Sequence, residues 1–442
     1  MTICRGNEPW ADKYQLTVFF CRYLARRFKN KQEGKGRKVN MKSKVLIAIL
    51  ATVFLVAGFG SVHAKTIKVG AAINLTGPAS SWGQFHEKGQ RDYFRYVNEV
   101  KGGVFGNKIE MITVDTAYKV PEAQAAVNRF VLQDKVDMIA TWGAGEGLAA
   151  KPIVQKYKVP TINYSTSWEI LEKPVDYMYL PFGSYKMDCH AVFEYIKAIH
   201  KGKDAPKVGL LTYNNAYGRS IHAPSKEYAQ QLGINLVAVE EFPPKTVDLN
   251  TELLRLQKAG AEYVFMQMLP SAIITAFKSA DRINYSPVFL GTWTSTDPDF
   301  FKMGNGLIRD RLVIQFPGGL PVDKSKGIAV MQQLWKRYKT VDKFDASYWE
   351  GVAIGMIMER AFIRAYEKSK DINPETINAA LESFKNENFG GLVPAITYTK
   401  DDHGASFTAR MVKVKEDGTY IPLTNFYVPG KDKIKLLKKP QI

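Results

Sequence analysis

TIKVGAAINLTGPASSWGQFHEKGQRDYFRYVNEVKGGVFGNKIEMITVD, residues 66–115, reads as a buried strand, a Gly/Pro turn, an amphipathic helix and a second strand. The first strand, Ile67 to Ile73, gives way to Asn74, Thr76 and Gly77, and Pro78, Ser80, Ser81 and Trp82 follow just before the helix. In open α/β sheets ligands bind beyond the carboxyl ends of the strands, where loops and helix N-termini gather. A large ring beside small polar groups at that place reads as one wall of a small-molecule cleft, with Trp82 as its first candidate.

The same rhythm continues outward. Strand-like runs fall at 108–115, 136–142, 160–163, 207–213, 234–242, 263–269, 287–291 and 311–316, with helical patterns such as Pro121 to Gln133 and Leu249 to Ala259 between them. Alternation of this kind predicts parallel sheets covered by helices on both faces. The 378 residues from Lys65 onward exceed what a single core usually supports, so two α/β, Rossmann-like lobes are expected.

Residues 41–64, MKSKVLIAILATVFLVAGFGSVHA, have the three parts of a secretory signal: Lys42 and Lys44, a 16-residue apolar run from Val45 to Gly60, and Val62-His63-Ala64 as a small-x-small cleavage site. The run is short for a membrane span, which wants roughly 18 to 20 apolar residues. Residues 1–40, rich in Lys and Arg without sustained periodicity, read as a start assigned upstream of the true one at Met41; a twin-arginine signal at Arg26 and Arg27 lacks the flanking pattern. Setting aside the 12 basic and 3 acidic residues of 1–64 from totals of 61 and 43 leaves 49 against 40, a net of +9. No Lys/Arg block with interleaved aromatics accompanies that surplus, so nucleic acid is not an expected partner, and only a general attraction for anionic ligands remains. Cys189 stands alone after Lys65, which rules out a disulfide within that segment and leaves no cysteine at the cleavage site for a lipid anchor. A free periplasmic protein is expected.

The runs LTGPASSWG and NEVKGGVFGNKIEMITVD, followed by YKVPEAQAAVNRFVLQDKVDMIATWGAG, YKVPTINYSTS, VGLLTYNNAYG, FLGTWTSTDPDF and ASYWEGVAI in that order, resemble the type I periplasmic solute-binding proteins of the branched-chain amino acid (Leu/Ile/Val) and amide ABC transporter family. The resemblance covers the chain from Lys65 onward, and its specificity comes from the ordered recurrence of motifs that are individually weak. It implies a two-lobed fold crossed three times, here near Gly183 to Lys186, Gly291 to Ser295 and Tyr398 to Gly404. Lobe 1 is then 65–184 and 295–398, and lobe 2 is 185–294 and 399–442. It further implies hinge closure over a small ligand and delivery to inner-membrane permease subunits driven by cytoplasmic ATPases. A sensory protein presenting its ligand to a membrane receptor or kinase is the alternative on the same fold.

Site residues carry over position by position. Trp82 matches the residue that packs on the ligand's side chain, the alternative being a core ring. Trp142 precedes Ala144 and Gly145, whose backbone N–H groups at a helix start suit a carboxylate where relatives often use a serine. Ser165 and Ser167 match positions that hold an amino group and a carboxylate, against the alternative of a Ser/Thr turn capping its own backbone. Tyr217 matches the tyrosine that closes from the second lobe, whereas Tyr213 reads as structural. Trp293 either stacks on the ligand or braces the hinge. One departure concerns specificity: where amino-acid binders place an acid for the α-ammonium group, this chain has Gln267, Met268, Leu269 and Pro270. A buried ammonium without a carboxylate is costly. The sequence therefore points to an amide, a small carboxylate or an aromatic acid, with Glu146 as the nearest alternative acid and Asp297 as a helix cap.

Catalytic patterns do not occur. The six histidines, His63, His86, His190, His200, His222 and His403, have no metal-binding spacing, and neither a G-x-S-x-G elbow nor a phosphate loop is present. The expectation is a non-enzyme with no cofactor and no metal.

Overall fold

The computed structural model describes residues 65–341 and 344–437, so the upstream extension at 1–40 and the signal segment at 41–64 lie outside the described residues. The first lobe begins with β1 (Thr66–Ile73), α1 (Ser80–Glu99), β2 (Lys108–Asp115), α2 (Val120–Arg129), β3 (Met138–Thr141), α3 (Ala144–Tyr157), β4 (Thr161–Asn163) and β5 (Met178–Tyr179). Its sheet has the order β2-β1-β3-β4-β5 and is parallel throughout, with β1 matched to β2 from Thr66–Lys108 to Ile73–Asp115. All four residues of β3 are buried, as expected for a parallel strand covered on both faces.

The chain then crosses into α4 (Tyr185–Ile199), β6 (Lys207–Tyr213), the single turn α5 (Ala216–Arg219), α6 (His222–Leu232), β7 (Asn235–Phe242), α7 (Asn250–Lys258), β8 (Tyr263–Gln267), α8 (Pro270–Arg282), β9 (Val288–Gly291), α9 (Pro298–Met303) and β10 (Leu312–Phe316). It returns through α10 (Lys326–Tyr338), α11 (Ala346–Ser369) and α12 (Pro374–Glu382), and ends in β11 (Arg410–Val414) and β12 (Tyr420–Pro422). The second sheet has the order β12-β11-β10-β9-β8-β6-β7, parallel from β6 to β10 and antiparallel at β11 and β12.

Three readings need correction. Leu312 to Phe316, expected in the second segment of lobe 1, pairs in parallel with β9, so residues 295–316 belong to lobe 2 and the return crossing falls at 317–319. All five residues of Leu312–Phe316 are buried, with the strand held between β9 and β11 of the second sheet. The helix expected over Pro121 to Gln133 is α-helical only to Arg129, after which Phe130 to Asp134 widens into a π-turn closed by the Lys135 N–H on Phe130 O. Finally, β5, β11 and β12 carry too little apolar pattern to be read as strands.

Two contacts tie the crossings together. The Arg410 guanidinium donates to Asp323 Oδ1 and Oδ2 at 2.9 and 2.6 Å and to Gly318 O at 3.1 Å, linking the segments that follow the second and third crossings. The third crossing lies on the first lobe, where the Tyr398 hydroxyl donates to Leu180 O at 2.7 Å and Leu180 N–H to His403 O at 3.1 Å.

The long helix α11 packs across α1 at backbone contact. A Cβ on Gly89 would lie 2.3 Å from Tyr348 O, and one on Gly351 would lie 2.0 Å from His86 O. Only glycine permits that approach, and it sets Glu350 against Trp82 and His86. Replacing Gly351 by Ala should therefore lower the unfolding free energy by about 1–3 kcal/mol through overpacking, although Ala raises helix propensity by about 1 kcal/mol in an open helix. Urea denaturation of the purified protein decides it: a variant as stable as the parent, or more so, would show that the two helices can part freely.

Candidate functional site

Strand ends of both sheets face each other across a small cavity. Lobe 1 contributes Trp82 from α1, Tyr118 after β2, Trp142, Gly143 and Ala144 after β3, Tyr164 and Ser165 after β4, and Glu350 from α11. Lobe 2 contributes Tyr185, Tyr217, Leu269, Trp293 and Thr294. The interior accepts the centre of a water-sized sphere over about 20 Å³, little more than the roughly 10–15 Å³ that one water needs. Ordinary ligand pockets run to several hundred cubic ångströms. The space between the two lobes is correspondingly narrow.

Ring contacts close the gap. Trp82 and Trp293, one from each lobe, have centroids 5.9 Å apart, and Phe182 and Trp349 flank Trp293 at 5.5 and 6.4 Å. The Trp168 indole N–H reaches across to Ser220 O at 3.1 Å. Polar groups are paired within the wall: Ser165 Oγ with the Tyr185 hydroxyl at 3.1 Å, and the Tyr217 hydroxyl with Thr294 Oγ1 at 2.6 Å. The N-terminus of α3 opens at Gly143 and Ala144 with no side chain capping it, and Gly143 adopts φ +87° to make that start.

Three buried acids surround this region. Glu350 is 1% exposed; its Oε2 accepts from the Trp82 indole N–H at 3.1 Å and lies 2.9 Å from His86 Nδ1, while Oε1 has no hydrogen-bond partner. Burial raises its carboxyl above the ordinary range, against the opposing pull of His86 and Trp82. Asp188, in the first turn of α4, is fully buried with neither oxygen paired. Burial pushes its carboxyl well up, and the Trp293 indole faces it without completing a well-formed hydrogen bond. Glu146 does not line the cavity but lies beside Gly143 at the ends of β1 and β2, where Thr116 Oγ1 donates at 2.6 Å and Asn74 Nδ2 lies at 3.5 Å. Burial holds it up at about 7.

Of the sequence candidates, Trp82, Trp142, Ala144, Ser165, Tyr217 and Trp293 line the cavity. Gly145 does not; its Cα faces Val120 and Ala216 at the contact between lobes. Ser167 starts the short turn at Trp168–Leu171, where its carbonyl accepts from Ile170 N–H, and it does not line the cavity. Gln267 is fully buried at the end of β8, with its Oε1 3.5 Å from Thr292 Oγ1. Tyr213 packs on Phe242 at 5.2 Å, and Asp297 caps α9 by accepting from Phe300 N–H at 2.7 Å. Sequence reasoning missed Tyr118, Tyr164, Tyr185, Thr294 and, above all, Glu350. Glu350 lies on α11, inside the run ASYWEGVAI, and is the acid among the residues that line the cavity.

Two lobes meeting over a cavity lined from both sides define a binding protein that closes on its ligand. A family model described as periplasmic binding protein matches residues 66–419, and the chain belongs to that family, as a type I binding protein of the branched-chain amino acid ABC transporter type. The Leu/Ile/Val-binding protein homolog 7 of Brucella suis biovar 1 is 25% identical over 285 residues, spanning 62% of this chain and 70% of the relative. Among solved structures, a branched chain amino acid ABC transporter protein from Thermus thermophilus with bound valine matches with TM-score 0.75 and 25% identity, covering 83% of this chain and 97% of that one. A fatty acid ABC transporter substrate-binding protein from Thermomonospora curvata matches with TM-score 0.75 at 22% identity over 83% of this chain and 93% of that one. Among the described residues no group of three or more His, Cys, Asp or Glu could hold a metal ion, and no helix is long and apolar enough to cross a membrane.

The raised Glu146 carboxyl has a consequence for stability. Its folded-state value near 7 lies above the ordinary 4.5, so the native state binds the extra proton. That contribution is whole below about pH 4.5 and is lost as pH rises to about 7. Glu146→Gln, which keeps an acceptor for Thr116 and cannot ionise, should gain stability relative to the parent progressively across that window. Urea midpoints between pH 4.5 and 7.5 test this, and parallel curves for the two proteins would remove Glu146 as a titrating group.

Proposed function

We propose that this protein is the solute-binding component of an ABC importer. It captures a small ligand between its lobes in the periplasm and hands it to permease subunits in the inner membrane, with cytoplasmic ATPases supplying the energy. The observation that carries the reading is the cavity itself, walled by residues of both lobes. A ligand that touches both walls binds the closed form better than the open one, and that difference in affinity is what lets it select closure. The family consists of substrate-binding proteins, which supports binding and release rather than turnover as the task of this chain.

The ligand is small, in the range from amino-acid-like compounds and amides to aromatic or other carboxylates. Trp142 and Tyr217 contact it from opposite lobes, Trp82 and Trp293 form the base, and Ser165 with the backbone at Ala144 supplies polar contacts. The valine bound by the Thermus relative supports an amino-acid-sized occupant. The aromatic wall and the Thermomonospora relative support an apolar body.

A thermal-shift screen of the purified, ligand-stripped protein against aliphatic amino acids, amides, small carboxylates and aromatic acids tests the proposal. A ligand at a thousand times its Kd stabilises the folded state by about 4 kcal/mol, which moves Tm by several degrees. At least one class should produce that shift, and Trp142→Ala and Tyr217→Phe should each weaken its binding, the former about tenfold or more, with circular dichroism unchanged. Affinity unaltered by both substitutions would put the binding cleft elsewhere.

A further inference from the structure

A second cavity lies away from the cleft, where the chain makes its return crossing. It accepts the centre of a water-sized sphere over about 520 Å³, in the range of several hundred cubic ångströms usual for ligand pockets. Gly318 and Gly319 of the crossing line it, with Lys326 and Gly391 from lobe 1 and Thr408 and Phe426 from lobe 2. None of these residues lines the cleft between the strand ends.

Part of the wall is bare backbone. A Cβ on Gly319 would lie 2.4 Å from Gly391 O, and one on Gly318 would lie 2.6 Å from Leu392 O, so the crossing and the loop after α12 meet with no side chain between them. Gly319 N–H donates to Leu392 O at 2.9 Å, which fixes that meeting. Phe426 supplies an aromatic wall; it is 44% exposed, with the Arg410 guanidinium 4.4 Å from its ring centroid. Arg410 is itself engaged by Asp323 and by Gly318 O, so the ring rests on a fixed group.

Lys326, exposed at the start of α10, is the charged residue among those that line the cavity, and it makes no ion pair among the described residues. The acids nearest to these segments in sequence, Asp323 and Glu387, are held by Arg410 and by Arg360 and Arg364. The pocket thus sets an unneutralised ammonium beside an exposed ring and the apolar surface of Val393, Pro394 and Ala395. An anionic head at Lys326 gains a charge-assisted hydrogen bond, and an apolar body against Phe426 is removed from water.

We propose that this pocket is a second binding site, for a small organic anion whose carboxylate meets Lys326 and whose apolar body lies on Phe426. The occupant bridges the two lobes beside the crossing, since Lys326 belongs to lobe 1 and Phe426 to lobe 2. The site is separate from the cleft, and its occupancy does not depend on which solute the cleft takes.

Iodinated carboxylates test it: 4-iodobenzoate, 4-iodophenylacetate and 3-iodopropanoate, each compared with its primary amide. Crystals of the purified protein soaked with each carboxylate locate it by iodine anomalous scattering. Calorimetry on the parent and on Trp142→Ala gives the Kd in solution and separates this site from the cleft. At least one carboxylate should place its iodine between Gly319 and Phe426 and bind about fivefold or more tightly than its amide. Lys326→Gln should bring that ratio close to one, Phe426→Ala should weaken carboxylate and amide alike, and Trp142→Ala should leave this binding unchanged. Should Phe426→Ala fail to fold, the exposed Lys326→Gln and the ratios of the parent protein still decide. Iodine peaks in the cleft alone, a peak at the crossing with no binding measurable in solution, binding of none of the carboxylates, or a ratio unmoved by Lys326→Gln overturns the proposal. The binding function of the cleft stands or falls separately, on the thermal-shift screen with Trp142→Ala and Tyr217→Phe.

Discussion

The crossing of α1 and α11 is the constraint on which the site depends. These helices come from segments more than two hundred residues apart, and they meet at backbone contact because Gly89 and Gly351 leave no side chain between them. The approach is close enough for Glu350 to bond the Trp82 indole and to sit beside His86, both on α1. A single residue with a Cβ at either glycine would push the acid away from the ring it orients. Trp82 then presents its face to Trp293 in the other lobe, so the helix crossing fixes one half of the cleft before the lobes meet.

The other half is fixed by the second sheet and by the ties at the crossings. Having β10 in that sheet places 317–319 rather than 291–295 at the return crossing, and Arg410 binds this region to the segment after the third crossing. Burial alone would raise the Asp323 carboxyl, yet the Arg410 hydrogen bonds outweigh it and hold the group below its ordinary range. The pair is bidentate and the arginine is 3% exposed. Such a pair favours a defined geometry at the crossings over free rotation there, because removing one partner would strand a buried charge.

The sheets were largely legible in the sequence, since parallel strands buried on both faces leave continuous apolar runs such as KVGLLTY and YVFMQ. What escaped was whatever carries no such run: the two-residue β5, β11, whose apolar residues are interrupted by Arg410 and Lys413, and the sheet to which β10 belongs, which pairing decides and composition does not. The cavity followed the same division. Trp82, Trp142, Ala144, Ser165, Tyr217 and Trp293 stand just beyond strand ends, in the turns or the first helical turn that follows, where a linear reading can look for them. Glu350 stands in the second turn of a helix, between Trp349 and Gly351 in sequence, and only the spacing of two glycines against a helix far upstream turns it into the cleft. Ser167 and Gln267 show the converse: polar residues beside a strand end that the turn or the sheet interior claims first.

Closure and burial are linked at the same wall. Glu350 is 1% exposed and its Oε1 has no hydrogen-bond partner. Leaving a buried polar oxygen unpaired costs free energy. Burial of Trp82, Trp293 and their neighbours opposes this cost, and the balance between the two sets how often the empty protein closes. A ligand that touches both walls makes its full set of contacts only in the closed form, so its binding energy appears as a shift of the lobe equilibrium rather than as uniform affinity for both states. A cleft whose two walls come from different lobes thus couples occupancy to closure, which is the discrimination a carrier needs if its closed surface is what the next component reads.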